Sequence, residues 1–208
     1  MKDVIVIGSG GHAKVVLDII EKSGDRAIGI LDKNRLKGER VLGCPVLGSE
    51  TDDLERFRNG GNYFIVGIGD NNRRKLLAES LDGLWYTAVH PSARIGKSAK
   101  IGEGTVIMAN AVINPDAKIG RHCIINTSAC IDHDAAIDHY AHISPNAAIA
   151  GKSSVGEGCH IGIGCSVIDN VSICAGVTVG AGAAVVSDIT VPGVYVGVPA
   201  RMLNETAG

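Results

Sequence analysis

Residues 112–143 read V-I-N-P-D-A-K-I-G-R-H-C-I-I-N-T-S-A-C-I-D-H-D-A-A-I-D-H-Y-A-H-I, with isoleucine at 113, 119, 125, 131, 137 and 143. Followed outward, the spacing runs without insertion from Val89 to Val191, with Ile or Val at all eighteen sixth positions. The fifth residue of most hexads is small, as at Ala93, Ala111, Ala129, Ala147 and Ser153. Gly follows several of the aliphatics, as at Gly96, Gly102, Gly120 and Gly156. No helix and no hairpin has a period of six. One short strand and one bend do, and a hexapeptide period marks a parallel β-helix. Three such units close an eighteen-residue coil. The β-branched residue fills the interior and suits the pleat. The small fifth residue fits beside the corner, and Gly after the aliphatic is expected to supply a backbone conformation that other residues resist. At roughly 4.8 Å per coil, nearly six coils make a prism whose open ends need caps and whose flat sides invite packing against copies of itself.

At 208 residues there is room for two small domains. The repeats set a boundary at residues 88/89. A net charge of −2 argues against a nucleic-acid surface. No apolar run approaches the roughly 20 residues of a membrane span, and residues 1–7 read as a strand rather than a signal peptide; a cytoplasmic protein without membrane contact is expected. Cys123, Cys159 and Cys165 sit at fifth positions, as small hydrophobes rather than zinc ligands or a disulfide framework.

Residues 1–88 alternate strand and helix. Asp3–Ile7 is a buried strand, followed by Gly8-Ser9-Gly10-Gly11-His12-Ala13 and a helical pattern through Val15, Val16, Leu17, Ile19 and Ile20. A second strand, 27–31, ends in Asp32. Ser49 is read as the cap of a helix reaching Arg58. A third strand covers 63–68, and Asp70 caps a helix over about 71–82. This alternation predicts a small Rossmann-like parallel sheet. The turn fits G-x-G-x-x-A, in which glycines let backbone N–H groups approach phosphates at a helix N-terminus, and Asp32 stands where a ribose-binding acid is expected. Eighty-eight residues hold one mononucleotide half. That size suits a nucleotide sugar better than NAD, and a turn without ligand is the bland alternative.

With the Gly8–His12 turn, Gly67-Ile68-Gly69-Asp70-Asn71, Asn126-Thr127-Ser128, Ile131-Asp132-His133-Asp134 and the closing Gly197-Val198-Pro199-Ala200-Arg201, the chain resembles one family of hexapeptide-repeat acyltransferases. These are the sialic-acid-type sugar O-acetyltransferases and the UDP-N-acetylbacillosamine-type N-acetyltransferases. The resemblance implies a left-handed β-helix, a homotrimer and acetyl-CoA as co-substrate. It implies His133 as general base with Asp134, where the best-matching members carry Glu, as its partner. It places His142 near the thioester, and Gly151, Ile163 and Ala181 along an acetyl-CoA groove between subunits. Gly10, Gly11, His12, Asp32 and Gly69 are implied as sugar-nucleotide contacts. A second acid that some members carry after Asp32 is Lys33 here.

Seven histidines raise the question of a metal. His142 and His160, eighteen apart, stack on one face, but a catalytic zinc needs three protein ligands and an open position, and a nucleotide domain would serve no purpose in a β-helix carbonic anhydrase. No metal is expected. His122 and His139 read as surface positions. The expected activity is transfer of acetyl from acetyl-CoA to the 4-amino group of a nucleotide-linked sugar, with UDP favoured. A GDP-perosamine N-acetyltransferase, a sugar O-acetyltransferase and a non-catalytic sugar-nucleotide-binding subunit are the rival readings.

Overall fold

The computed structural model describes residues 1–51, 53–58 and 60–203. The first elements are β1 (Asp3–Ile7), α1 (Gly11–Lys22), β2 (Arg26–Leu31), β3 (Arg40–Val41), β4 (Cys44–Gly48), α2 (Leu54–Arg58), β5 (Tyr63–Val66), α3 (Asn71–Ser80) and β6 (Leu84–Trp85). They form one sheet in the spatial order β3-β4-β2-β1-β5-β6. Only β3 is antiparallel to its neighbour. The apolar runs of β1 and β5 are almost wholly buried, as a sheet covered on both faces requires.

Two features depart from the sequence reading. Leu42 and Gly43 both have positive φ, 47° and 80°, the requirement of a two-residue hairpin turn. That hairpin delivers β4 to the edge of β2, and a leucine at such a turn gave no signal for it. Ser49 does not cap a long helix. Its N–H donates to Asp53 Oδ2 at 3.0 Å, and α2 begins only at Leu54.

From Ala88 onward two-residue strands recur every six residues and pair in parallel with the strand eighteen residues away, as Val106 with Ile124 and Ile124 with His142. Three faces result. The first carries Ala88–Val89 through Thr178–Val179, the second Arg94–Ile95 through Ala184–Val185, and the third Lys100–Ile101 through Ser172–Ile173. The hexad aliphatics and the small fifth residues form one continuous core along the prism. Cys123, Cys159 and Cys165 are buried in it as free thiols, and they also donate weakly to a carbonyl fifteen residues on. Thr105 and Ser153 do the same with hydroxyls.

The backbone strain of the coil falls elsewhere than expected. Every sixth residue from Gly104 to Gly182 has φ between 53° and 72°. This is the fourth position of the hexad, and nine of its fourteen occupants are not glycine, among them Asn110, Asp134, Tyr140 and Lys152. The glycines after the aliphatics have ordinary φ. They are needed because coils approach closely there: a Cβ on Gly102 would lie 2.6 Å from Arg121 N, and one on Gly156 2.5 Å from Ala175 N.

The eighteen-residue register also ends before the repeat does. Ile173 pairs with Ile189, and Thr178 with Val194, an offset of sixteen. Ile189 is therefore buried and Val191 is 53% exposed, so the last aliphatic of the series lies outside the core. Above it Val194–Val196 and Arg201–Met202 close the end as an antiparallel pair.

Gly156→Ala should therefore lower stability by about 1–3 kcal/mol, the range of overpacking, while Asn170→Gly, at a left-handed corner (φ 57°), should match or exceed the parent. Thermal denaturation of both variants checks the pair.

Candidate active site

The parallel strands leave their carboxyl ends on one edge, where the turn after β1, Asp32 after β2 and the loop after β5 converge. Gly8 has φ 99°. A Cβ on Gly67 would lie 2.9 Å from the Cβ of Ala13, so the start of α1 presses close on the strand beside it. The first-turn N–H groups of α1 have no intrahelical partners and open, with Gly10 and Gly11, onto a cavity of about 350 Å³ that Asp32, Glu50, Gly69 and Arg73 also line. All five residues implied as sugar-nucleotide contacts, His12 among them, thus share one pocket. Asp32 is already engaged. Ser9 Oγ donates to its Oδ2 at 2.5 Å, and Asn34 N–H to its Oδ1 at 2.9 Å. Burial disfavours its charge, yet these bonds outweigh burial and hold the carboxyl below its usual range.

Arg74, on α3, joins this domain to the coil. It is 1% exposed. Its guanidinium donates to the carbonyls of His122 and Tyr140 (both 2.8 Å) on the coil, and to those of Ile68 and Gly69 (3.2 and 3.0 Å) on its own domain. Asn71 Nδ2 extends the seam to Gly158 O at 2.9 Å. Desolvation pushes Arg74 down to about 10, which still leaves it charged at neutral pH. His122 is a correction: it is buried in this seam, edge-on to Trp85 and stacked on Tyr140, rather than on the surface. Sequence reading passed over Arg74 as well, because an arginine in a mostly polar helix gives no signal of burial.

Gly69 belongs also to a second cleft, of about 520 Å³, bounded by Asp70, Asn71, His142, His160 and Thr178. There His142 and His160 stack with centroids 4.7 Å apart. Asn126 Nδ2 lies 3.0 Å from His142 Nε2, and Ser144 Oγ 2.9 Å from His160 Nε2. Among the described residues, His142 Nδ1 and His12 Nε2 are both buried without a partner. Burial, with Arg74 adding, takes His12 down to about 4; burial, then His160 and Arg74, takes His142 down to about 3. Both are neutral at neutral pH. Ile163 and Ala181 stand one above the other on the adjoining corner, both exposed.

His133 lies elsewhere, on the corner between the second and third faces. In a triangular prism that corner is opposite the first face, so one chain does not bring His133 to His142. The left-handed backbone of Asp134 (φ 59°) turns its carboxylate back, and Oδ2 meets His133 Nδ1 at 2.8 Å. That pairing protonates Nδ1 and leaves Nε2 as the acceptor. Asp132 Oδ1 takes the His133 N–H at 2.7 Å and is itself held by Asn114 Nδ2 at 2.7 Å. The Asp134 hydrogen bond, then the charge of Asp132, raises the imidazole above its usual value. Gly151 lies beneath the ring, where a Cβ would come within 2.8 Å of His133 Cε1. Of the residues implied for acetyl-CoA, Gly151 therefore shares a corner with His133, apart from Ile163, Ala181 and His142. Among the described residues, no cluster of His, Cys, Asp and Glu could hold a metal ion, and no helix is long and apolar enough to cross a membrane.

Known proteins share this fold. The PglD N-terminal domain model matches residues 3–81, and the bacterial transferase hexapeptide (six repeats) model matches residues 98–133. The structure of PerB from Caulobacter crescentus, solved with CoA and GDP-perosamine, is 39% identical with a TM-score of 0.92 and covers 98% of each chain. The chain belongs to the hexapeptide-repeat sugar acetyltransferases. A further member, the acetyltransferase domain of PglB from Neisseria gonorrhoeae FA1090 solved with acetyl coenzyme A, is 35% identical over 97% of this chain and 99% of its own, with a TM-score of 0.92. UDP-N-acetylbacillosamine N-acetyltransferase of Bacillus subtilis (strain 168) is 42% identical over 118 residues. That match covers 52% of this chain and 52% of the relative, so the chain spans about half the length of that family member.

The buried histidines predict acid sensitivity. Unfolded, they titrate near 6.5; folded, His12 and His122 resist protonation to about 4 and His142 to about 3. Below pH 6.5 the unfolded chain binds more protons, so stability is full above that pH and falls as pH drops toward 3. Calorimetric melting at a series of pH values should show this slope, flattened in His142→Gln.

Proposed function

We propose that this protein transfers the acetyl group of acetyl-CoA to the 4-amino group of a sugar carried on a nucleoside diphosphate. The observation that carries this reading is that the glycine-turn pocket and the His142 cleft meet at Gly69. A ligand whose diphosphate sits at the start of α1 then extends its sugar toward the coil. The exposed Ile163 and Ala181, on the corner adjoining the cleft that His142 lines, suit an apolar chain ending in a thioester carbonyl.

His133 of one subunit serves the nucleotide pocket of another, in a trimer, because the base and the His142 cleft lie on opposite sides of each prism. His133 Nε2 takes a proton from the amine as its nitrogen attacks the thioester carbon, and the thiolate of CoA leaves. Asp134 holds the ring in the required tautomer and stabilises the imidazolium that forms. A thioester is already activated, so alignment and proton removal account for the work asked of the protein. An O-acetyltransferase on a free sugar is the weaker reading, since a free sugar leaves the phosphate-type turn without use.

His133→Ala should reduce turnover by about 10²–10⁴-fold, the usual share of general-base catalysis, with the KM for acetyl-CoA little changed; product mass spectrometry with nucleotide aminosugars provides the assay. Turnover should rise with pH through the neutral range, on a limb above the ordinary imidazole value, and Asp134→Asn should move that limb to lower pH.

Gly11 faces open space, so Gly11→Asp should fold normally and repel a diphosphate. Refolded together, His133→Ala and Gly11→Asp chains should recover activity that neither has alone. No recovery in mixed trimers would contradict a shared site.

A further inference from the structure

The strand order fixes how a nucleotide would lie on the sheet edge. At the carboxyl ends, Gly69 follows β5, the glycine turn follows β1, Asp32 follows β2, and Glu50 stands two residues beyond β4, in that spatial sequence. With the sugar leaving past Gly69 toward the coil and the diphosphate at the glycine turn, ribose falls at Asp32 and the base at Glu50. Two strand spacings separate the glycine turn from the Glu50 position, or about 10 Å, a span that suits the passage from diphosphate to base.

Glu50 is an unusual residue to find there. Its side chain is 5% exposed, yet it lines the pocket. One oxygen, Oε2, accepts the Lys33 N–H at 2.5 Å. Among the described residues, Oε1 has only the half-exposed Arg73 guanidinium, 3.9 Å away, beyond hydrogen-bond distance. A buried carboxylate offers about four acceptor sites and is costly to leave under-used. The neighbouring acid, Asp32, already accepts from Ser9 and Asn34 on both of its oxygens, so Glu50 Oε1 is the carboxylate oxygen lining this pocket that has no hydrogen bond among the described residues.

Resting on the nucleotide-sugar reading above, we propose that Glu50 reads the base, and that the base is guanine. Guanine presents a ring N–H and an exocyclic amine side by side, both donors, and a carboxylate takes such a pair with charge-assisted bonds. Uracil presents one N–H flanked by two carbonyl oxygens, which a carboxylate repels. Adenine has the amine without the adjacent ring N–H. Glu50 is then the residue that sets nucleoside preference, for GDP in place of the UDP that the sequence reading favoured.

The unaltered full-length protein tests this by calorimetric titration with GDP, IDP, UDP and ADP. IDP differs from GDP only by lacking the exocyclic amine. The expected order is GDP tightest, IDP weaker by about tenfold, the equivalent of one charge-assisted hydrogen bond, and UDP and ADP weaker still. Glu50→Gln should weaken GDP by about tenfold or more and leave UDP within about threefold, with an unchanged circular dichroism spectrum. UDP binding as tightly as GDP, or GDP and IDP binding alike, would overturn the role of Glu50 while leaving the nucleotide pocket standing. Equal binding of all four would reduce the site to a diphosphate cradle, with the same consequence for Glu50. Absence of binding by any of the four would overturn the pocket and this inference together. The wild-type series decides the matter even if the Glu50 variant does not fold.

Discussion

One buried cation organises the centre of the molecule. Arg74 donates to carbonyls from both the sheet domain and the coil, so its removal would strand acceptors on each side of the seam. Its charge also bears on His12, His122, His142 and His160, and in each of them it adds to desolvation in disfavouring the protonated ring. A cation without a carboxylate partner among the described residues is expensive to bury. Here that expense produces a cluster of neutral imidazoles beside the His142 cleft, a condition that solvent-exposed histidines with carboxylate neighbours do not meet. His133, with Asp134 and Asp132 around it, is the contrasting case: exposed, and pushed toward the charged form.

The two halves of the chain divide the work along physical lines. Only the first and fifth positions of each hexad are committed to the core, so the corners are free to carry chemistry without disturbing packing. Four consecutive corner residues, Asp132 to Ala135, hold the proposed base, its orienting acid and a small residue that closes the turn. The sheet domain contributes what a prism lacks, a cluster of helix-terminal N–H groups and acids at strand ends. Its attachment beside the first face sets the glycine-turn pocket and the His142 cleft next to each other at Gly69.

Much of this was legible in the residues. The hexad period specified coil, register and core, because a six-residue repeat has few physical solutions. The glycine turn and Asp70 announced their helix starts, and Asp70 does accept the Arg73 N–H. The stacking of His142 on His160 followed from a separation of eighteen. What stayed hidden depended on contacts between distant segments. Arg74 and His122 become interior only when α3 meets the coil, and nothing local distinguishes them from surface residues. Glu50 was masked because the Leu42–Gly43 hairpin that creates β4 has an unconventional turn residue. Val191 misled in the other direction: it keeps the period, yet the register has already slipped by two. The roles of the glycines were exchanged for a similar reason, since close approach between coils appears in sequence as the same letter as a left-handed turn.

That slip of two residues bears on how the molecule ends. A parallel ladder of identical steps offers, at its last rung, a row of unpaired N–H and C=O groups that matches the row at the bottom of another copy. Left square, such an edge is a template for end-to-end growth into fibres. Here the final coil is short, so Ile189 and Val194 meet their partners out of phase with the rungs below, and the reversed strand Arg201–Met202 occupies the remaining edge. Among the described residues, the top of the prism therefore presents no rung in phase with those below on which another prism could continue the ladder, and the same irregularity that ends the repeat works against end-to-end growth of the column.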